Sequence, residues 1–118
     1  MRIEIRGRNT PITDAIRQHV EERFTARIGK QVGEPARLDV ELLAERNPAI
    51  SESKVAEATL HLKGVTLRAR EGSADLMHSV DLVADKLARQ VKRHRDKRRG
   101  RRDGASVKDP SPPPEAGP

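Results

Sequence analysis

The 118-residue chain contains no cysteine, tryptophan or tyrosine, and Phe24 is its only aromatic residue. Without thiols it can build neither a disulfide framework nor a thiolate metal site, a composition that fits a reducing cytoplasm. Without aromatic platforms, stacking of bases on rings is excluded as the main means of gripping nucleic acid. No apolar run approaches the roughly 20 residues that cross a bilayer. Met1-Arg2-Ile3-Glu4 also lacks the apolar core of a signal peptide. A soluble cytoplasmic protein with no membrane partner is therefore expected.

Signatures of catalysis are missing too. His19, His61, His78 and His94 fall on different predicted elements and lack metal-ligand spacing. Gly7, Gly29, Gly33 and Gly64 form neither a phosphate-cradling loop nor a dinucleotide fingerprint. Ser73, Ser79, Thr13 and Thr25 have no evident base beside them. Glu41 and Glu45 would share a strand face, which usually marks solvent exposure rather than acid/base work. The expectation is a non-enzyme with no cofactor, no metal and no small-molecule substrate.

What the chain does have is positive charge, unevenly placed. The segment from Lys86 to Arg102 holds ten of its 24 Lys and Arg residues and one acid, Asp96. The remainder carries 14 basic and 17 acidic residues, so +9 in one segment sits beside −3 elsewhere. A focused cationic segment without aromatic neighbours points to a polyanion, most often nucleic acid, met through phosphates and shape. A helix C-terminus favours a few cations through its dipole, which accounts for two or three of the ten.

Periodicity supplies the framework. From Arg2 to Arg8, Ile3 and Ile5 alternate with Arg2, Glu4, Arg6 and Arg8, the pattern of a strand with one buried face. Thr13 is placed to cap a helix from about Asp14 to Arg27 or Ile28, with Ile16, Val20, Phe24 and Ile28 down one side. Gly29, Gly33 and Pro35 are expected to break it. Leu38, Val40, Leu42 and Ala44 mark a second strand, whose pattern Leu43 violates. After a polar connection at Asn47-Pro48, two alternating segments flank Lys63-Gly64 and predict a hairpin. Ser73 is expected to cap a second helix, with Asp75 in its first turn and Leu76, Val80, Val83, Leu87 and Val91 as its apolar stripe, reaching at least His94.

The order β-α-β-β-β-α, with a right-handed crossover through the first helix, sets strands one and two parallel and the rest as an antiparallel meander. This is an α+β, two-layer fold with a four-stranded mixed sheet and both helices on one face. Residues 1–98 read as the folded domain, and residues 99–118 as a disordered basic, then Pro-rich, tail or linker. At about 100° per residue, Lys86, Arg89, Arg93 and Lys97 fall within a sector of about 80° on the second helix, away from its apolar stripe. Lys92 and Arg95 widen that band, and Arg98, Arg99, Arg101 and Arg102 extend it.

Two stretches carry a resemblance: Arg6 to Asn9 followed by Ile12-Thr-Asp-Ala-Ile-Arg-Gln-His-Val20, and Asp75 to Val91, with Asp85-Lys-Leu-Ala-Arg-Gln90 its most specific part. Together they resemble the ribosome hibernation promoting factor family, which includes the ribosome-associated inhibitor proteins, over about residues 1 to 98. The resemblance implies a double-stranded-RNA-binding-like fold that sits in the mRNA and tRNA channel of the small ribosomal subunit and silences idle ribosomes under stress or in stationary phase. It implies rRNA contacts from Lys86, Arg89, Lys92, Arg93 and Lys97 on the second helix and from Arg17, Arg23 and Arg27 on the first. Arg8, Arg68 and Arg70 at strand ends are further candidates. His78 stands where the family often has tyrosine.

The family has short members and long members, in which a linker leads to a C-terminal domain that pairs ribosomes. This chain stops in a Pro-rich segment, reading as a long member cut short or a short member with a tail. Pairing would need that absent domain. Taken without the family, the same residues also fit a general double-stranded-RNA binder or RNA chaperone, or a module docking on an acidic protein.

Overall fold

The computed structural model describes residues 1–32, 36–45, 47 and 53–103, with side chains given through Lys97. The expected breakers Gly33 and Pro35, Pro48 of the polar connection, the side chains of Arg98, Arg99, Arg101 and Arg102, and the Pro-rich tail from 104 onward lie outside the described residues. Four strands, β1 (Arg2–Arg8), β2 (Arg37–Ala44), β3 (Lys54–Leu62) and β4 (Val65–Ser73), form one sheet in the order β1-β2-β3-β4. β1 and β2 pair in parallel, and β2-β3 and β3-β4 are antiparallel, as the crossover and the hairpin require. Leu62 pairs with Val65 across the two-residue turn, where Gly64 adopts φ 84°, a left-handed conformation that costs glycine little.

The first helical run is longer than the periodicity predicts. After α1 (Asp14–Phe24) the chain widens into a π turn (Thr25–Gly29) and continues through a short α2 (Lys30–Val32). Gly29 therefore does not end the helix. A Cβ there would lie 3.2 Å from Thr25 Cγ2, so the missing side chain leaves room for the Thr25 methyl within the widened turn. The run begins as expected, with the Ile16 N–H donating to Thr13 Oγ1 at 3.2 Å.

The second long helix, α3 (Leu76–Asp103), passes position 98, where the domain boundary is expected. Its cap is Asp75 rather than Ser73. The His78 N–H donates to Asp75 Oδ2 at 3.1 Å, and the Ser79 N–H donates to the Asp75 carbonyl at 3.0 Å. Ser73 is still in β4, opposite Lys54, and its Oγ accepts from the Asp75 N–H at 3.2 Å rather than from an N–H of the first helical turn. It works there instead with Ser79, which is fully buried: Ser79 Oγ donates to the Lys54 carbonyl at 2.6 Å and lies 2.7 Å from Ser73 Oγ. These bonds satisfy a buried hydroxyl and pin the start of α3 to the ends of β3 and β4.

One core lies between the helices and the sheet. Val20, Phe24 and Ile28 meet Val80, Val83, Ala84, Leu87 and Val91 of α3 over Leu38, Val40, Leu42, Ala56, Ala58, Leu60 and Ala69 of the strands. Both helices therefore cover the same side, and the alternate strand residues face out. The exception in β2 has a physical reason: Leu43 pairs with Val55 across the outer face, a local apolar contact within a polar surface.

Candidate nucleic-acid interface

The cationic residues singled out by the sequence divide into three places. The first is the outward side of α3, where the apolar stripe seats the helix on the sheet and rotates Arg89, Arg93 and Lys97 into solvent. Among the described residues, none of these three lies within ion-pair distance of a carboxylate. Arg17, exposed in the first turn of α1, is in the same condition. From Arg89 to Lys97 the helix rises about 12 Å, enough to follow several backbone phosphates.

The second place is the seam between the helices. Arg23 Nε lies 2.9 Å from Asp81 Oδ1, and His19 Nε2 donates to the same oxygen at 2.8 Å. One turn on, an Arg27 guanidinium nitrogen lies 2.8 Å from Asp85 Oδ1. Lys86 turns toward β4, with Nζ 3.2 Å from Glu71 Oε2, and the next turn follows it: the Gln90 amide donates to the Arg68 carbonyl at 2.8 Å. Lys92 pairs loosely with Asp96 within α3, at 3.7 Å. All these groups are partly exposed, so each pair contributes at most about 1 kcal/mol to stability.

The third place is the open face of the sheet, away from both helices. At one edge of it Arg8 of β1 lies 3.8 Å from Glu41 Oε2, and at the other edge, on β4, Arg68 donates to Thr59 Oγ1 at 3.3 Å and Arg70 is exposed. Glu4, Asp39, Glu41 and Glu57 line a shallow hollow on this face, with Arg6 as the one cation among its lining residues. A phosphate backbone laid there would meet carboxylates. The fold thus does not bring Arg8, Arg68 and Arg70 together with the helix cations.

Charge counting alone missed the acids Asp81, Asp85 and Glu71 and the imidazole of His19. The spacing held the signal: His19 and Arg23 on α1 and Arg27 in the π turn that continues it recur every four residues, and Asp81 and Asp85 do so on α3. Complementary rows of that kind read as facing helices. Among the described residues no group of three His, Asp or Glu side chains is placed to hold a metal ion, and no helix is long and apolar enough to cross a membrane.

Comparison with known proteins gives this geometry a lineage. A ribosome hibernation promotion factor of a Picosynechococcus species is 33% identical over 102 residues, which are 86% of this chain and 53% of the relative. The chain thus spans about half the length of that protein. A ribosome hibernation promoting factor of Azotobacter vinelandii is 33% identical over 104 residues, covering 88% of this chain and 92% of the relative. Among solved structures, the N-terminal domain of Thermus thermophilus Protein Y superposes with a TM-score of 0.68 at 35% identity, covering 80% of this chain and 99% of that one. A ribosomal subunit interface protein from Coxiella burnetii shares the fold, with a TM-score of 0.69 at 21% identity over 81% of this chain and 99% of that one. The profile of one family matches residues 3–99, nearly all of the described fold. By that match and those relatives, the chain belongs to the sigma 54 modulation protein / S30EA ribosomal protein family.

Proposed function

We propose that this chain is a ribosome hibernation factor: a non-enzymatic protein that binds the small ribosomal subunit in its mRNA and tRNA channel and holds idle ribosomes silent in the cytoplasm, under stress or in stationary phase. The observation that carries the reading is the exposed row Arg89, Arg93 and Lys97, set on a rigid helix in a chain whose relatives are named for ribosome hibernation. Cations on a rod attract phosphates without reading base edges, so they give a register on folded RNA rather than a sequence preference. The folded body above them then excludes mRNA and tRNA by its volume. No bond is made or broken. Lys86, Lys92 and Arg17 join that row in the proposed rRNA-binding set, Arg23 and Arg27 lie beside it in the seam with Asp81 and Asp85, and Arg8, Arg68 and Arg70 stand on the open sheet face, outside the surface that α3 presents.

A competition assay tests the reading. Small ribosomal subunits and an arbitrary duplex RNA are offered together at equal phosphate concentration and equal salt. The chain is expected to partition onto the subunits by at least tenfold, with the wild-type log K falling with log salt at a slope near −5 if about six phosphates are contacted. Equal partition would instead describe a general double-stranded-RNA binder.

A further inference from the structure

Asp81 and Asp85 are out of place on a surface whose partner is a polyanion. A carboxylate beside a phosphate raises the energy of the complex, and a helix that only had to attract RNA would do better without them. Both acids face the first helical run, Asp81 meeting His19 and Arg23 of α1 and Asp85 meeting Arg27 of the π turn along the seam. The rungs are four residues apart on each helix, so the two helices are held at one rotation and one axial register. Position matters here because α1 packs chiefly on α3, and the seam runs along the rim of the core formed by Val20, Phe24 and Ile28. Within the seam the two arginines and two aspartates cancel, which leaves the local field to the cations outside it.

We infer that Arg23 and Arg27 are positioning residues, tied to Asp81 and Asp85 so that α1 and α3 present one fixed surface, and that phosphate contact is made by the cations without such ties, Arg89, Arg93 and Lys97 first. The inference rests on the reading that α3 binds rRNA, and it assigns different roles to arginines that composition treats alike. It also makes an uncommon prediction: removing a negative charge from this surface weakens the binding of an anion.

Binding to small subunits measured over a salt series separates the roles, because the slope of log K against log salt counts phosphate contacts. Arg89→Gln and Arg93→Gln are each expected to flatten the slope by roughly 0.7 to 0.9. Arg23→Gln and Arg27→Gln are expected to keep the parental slope while weakening binding severalfold at every salt concentration. Asp85→Asn, which frees Arg27, is expected to weaken binding with no steepening. Arg27→Lys keeps a charge opposite Asp85 and should bind as the parent does, and it serves as the readout where the Gln variant does not fold in a thermal melt. A slope flattened as much by Arg27→Gln as by Arg89→Gln would overturn the inference alone, as would tighter, steeper binding by Asp85→Asn. Salt-independent binding, or none, by the parental chain would overturn the functional reading, and the inference with it.

Discussion

A chain carrying Arg89→Glu, Arg93→Glu and Lys97→Glu should stay in the supernatant when small ribosomal subunits are pelleted at moderate salt. Near 0.15 M salt each lost phosphate contact costs roughly fivefold in affinity, so three cost about a hundredfold before repulsion by the new carboxylates is added. All three positions are exposed, and among the described residues none has a carboxylate partner to lose. Each substitution should therefore change stability by no more than about 0.5 kcal/mol, and the triple variant should still melt in one cooperative transition. The complementary reversal on the open sheet face, Arg68→Glu with Arg70→Glu, is expected to cost far less, since that face already centres on carboxylates. Pelleting of the triple variant at parental levels, with an intact melt, would remove the α3 row from the mechanism.

The largest effect on stability is expected from Phe24→Ala. Phe24 is fully buried at the junction of α1 and the π turn, where it packs in the core shared with α3 and the strands. Truncating a buried phenylalanine loses its transfer free energy and leaves a cavity, together costing about 3 to 5 kcal/mol. Against the roughly 5 to 15 kcal/mol that hold a domain folded, this is a large share. For a domain of this size it corresponds to a fall in Tm of at least about 12 °C, measurable by circular dichroism. Phe24→Leu keeps most of the volume and should lose less than half as much. A loss below about 1 kcal/mol for the alanine variant would mean that α1 is not seated through this ring.

The elements that could be read from the chain were those in which burial repeats locally. Ile3 and Ile5, then Leu38, Val40 and Leu42, alternate because each strand has one face on the core, and the paired register follows that alternation. Gly64 marked the hairpin because its turn needs positive φ. The misreadings arose where a single residue was weighed without its neighbours in space. Gly29 looks like a helix stop in one dimension, yet inside the π turn it makes room for Thr25. Ser73 looks like a cap, but β4 runs through it and hands the role to Asp75.

The candidate site divides in the same way. Its charge excess is a property of one segment and needs only counting. Which cations stay available depends on acids from other elements: Glu71 of β4 takes up Lys86, and Asp81 and Asp85 of α3 take up Arg23 and Arg27. That pairing depends on how α3 is rotated about its axis and where α1 lies beside it, which no single segment encodes. The alternation that buries Leu60 and Ala69, by contrast, already placed Arg68 and Arg70 on the open side.

The most direct measurement is a cryo-EM reconstruction of the chain bound to vacant small ribosomal subunits. The account predicts density in the mRNA and tRNA channel, with the outward side of α3 against rRNA phosphates and Arg89 and Arg93 within hydrogen-bonding distance of them. Density outside the channel, or the open sheet face against RNA with α3 turned to solvent, would contradict it.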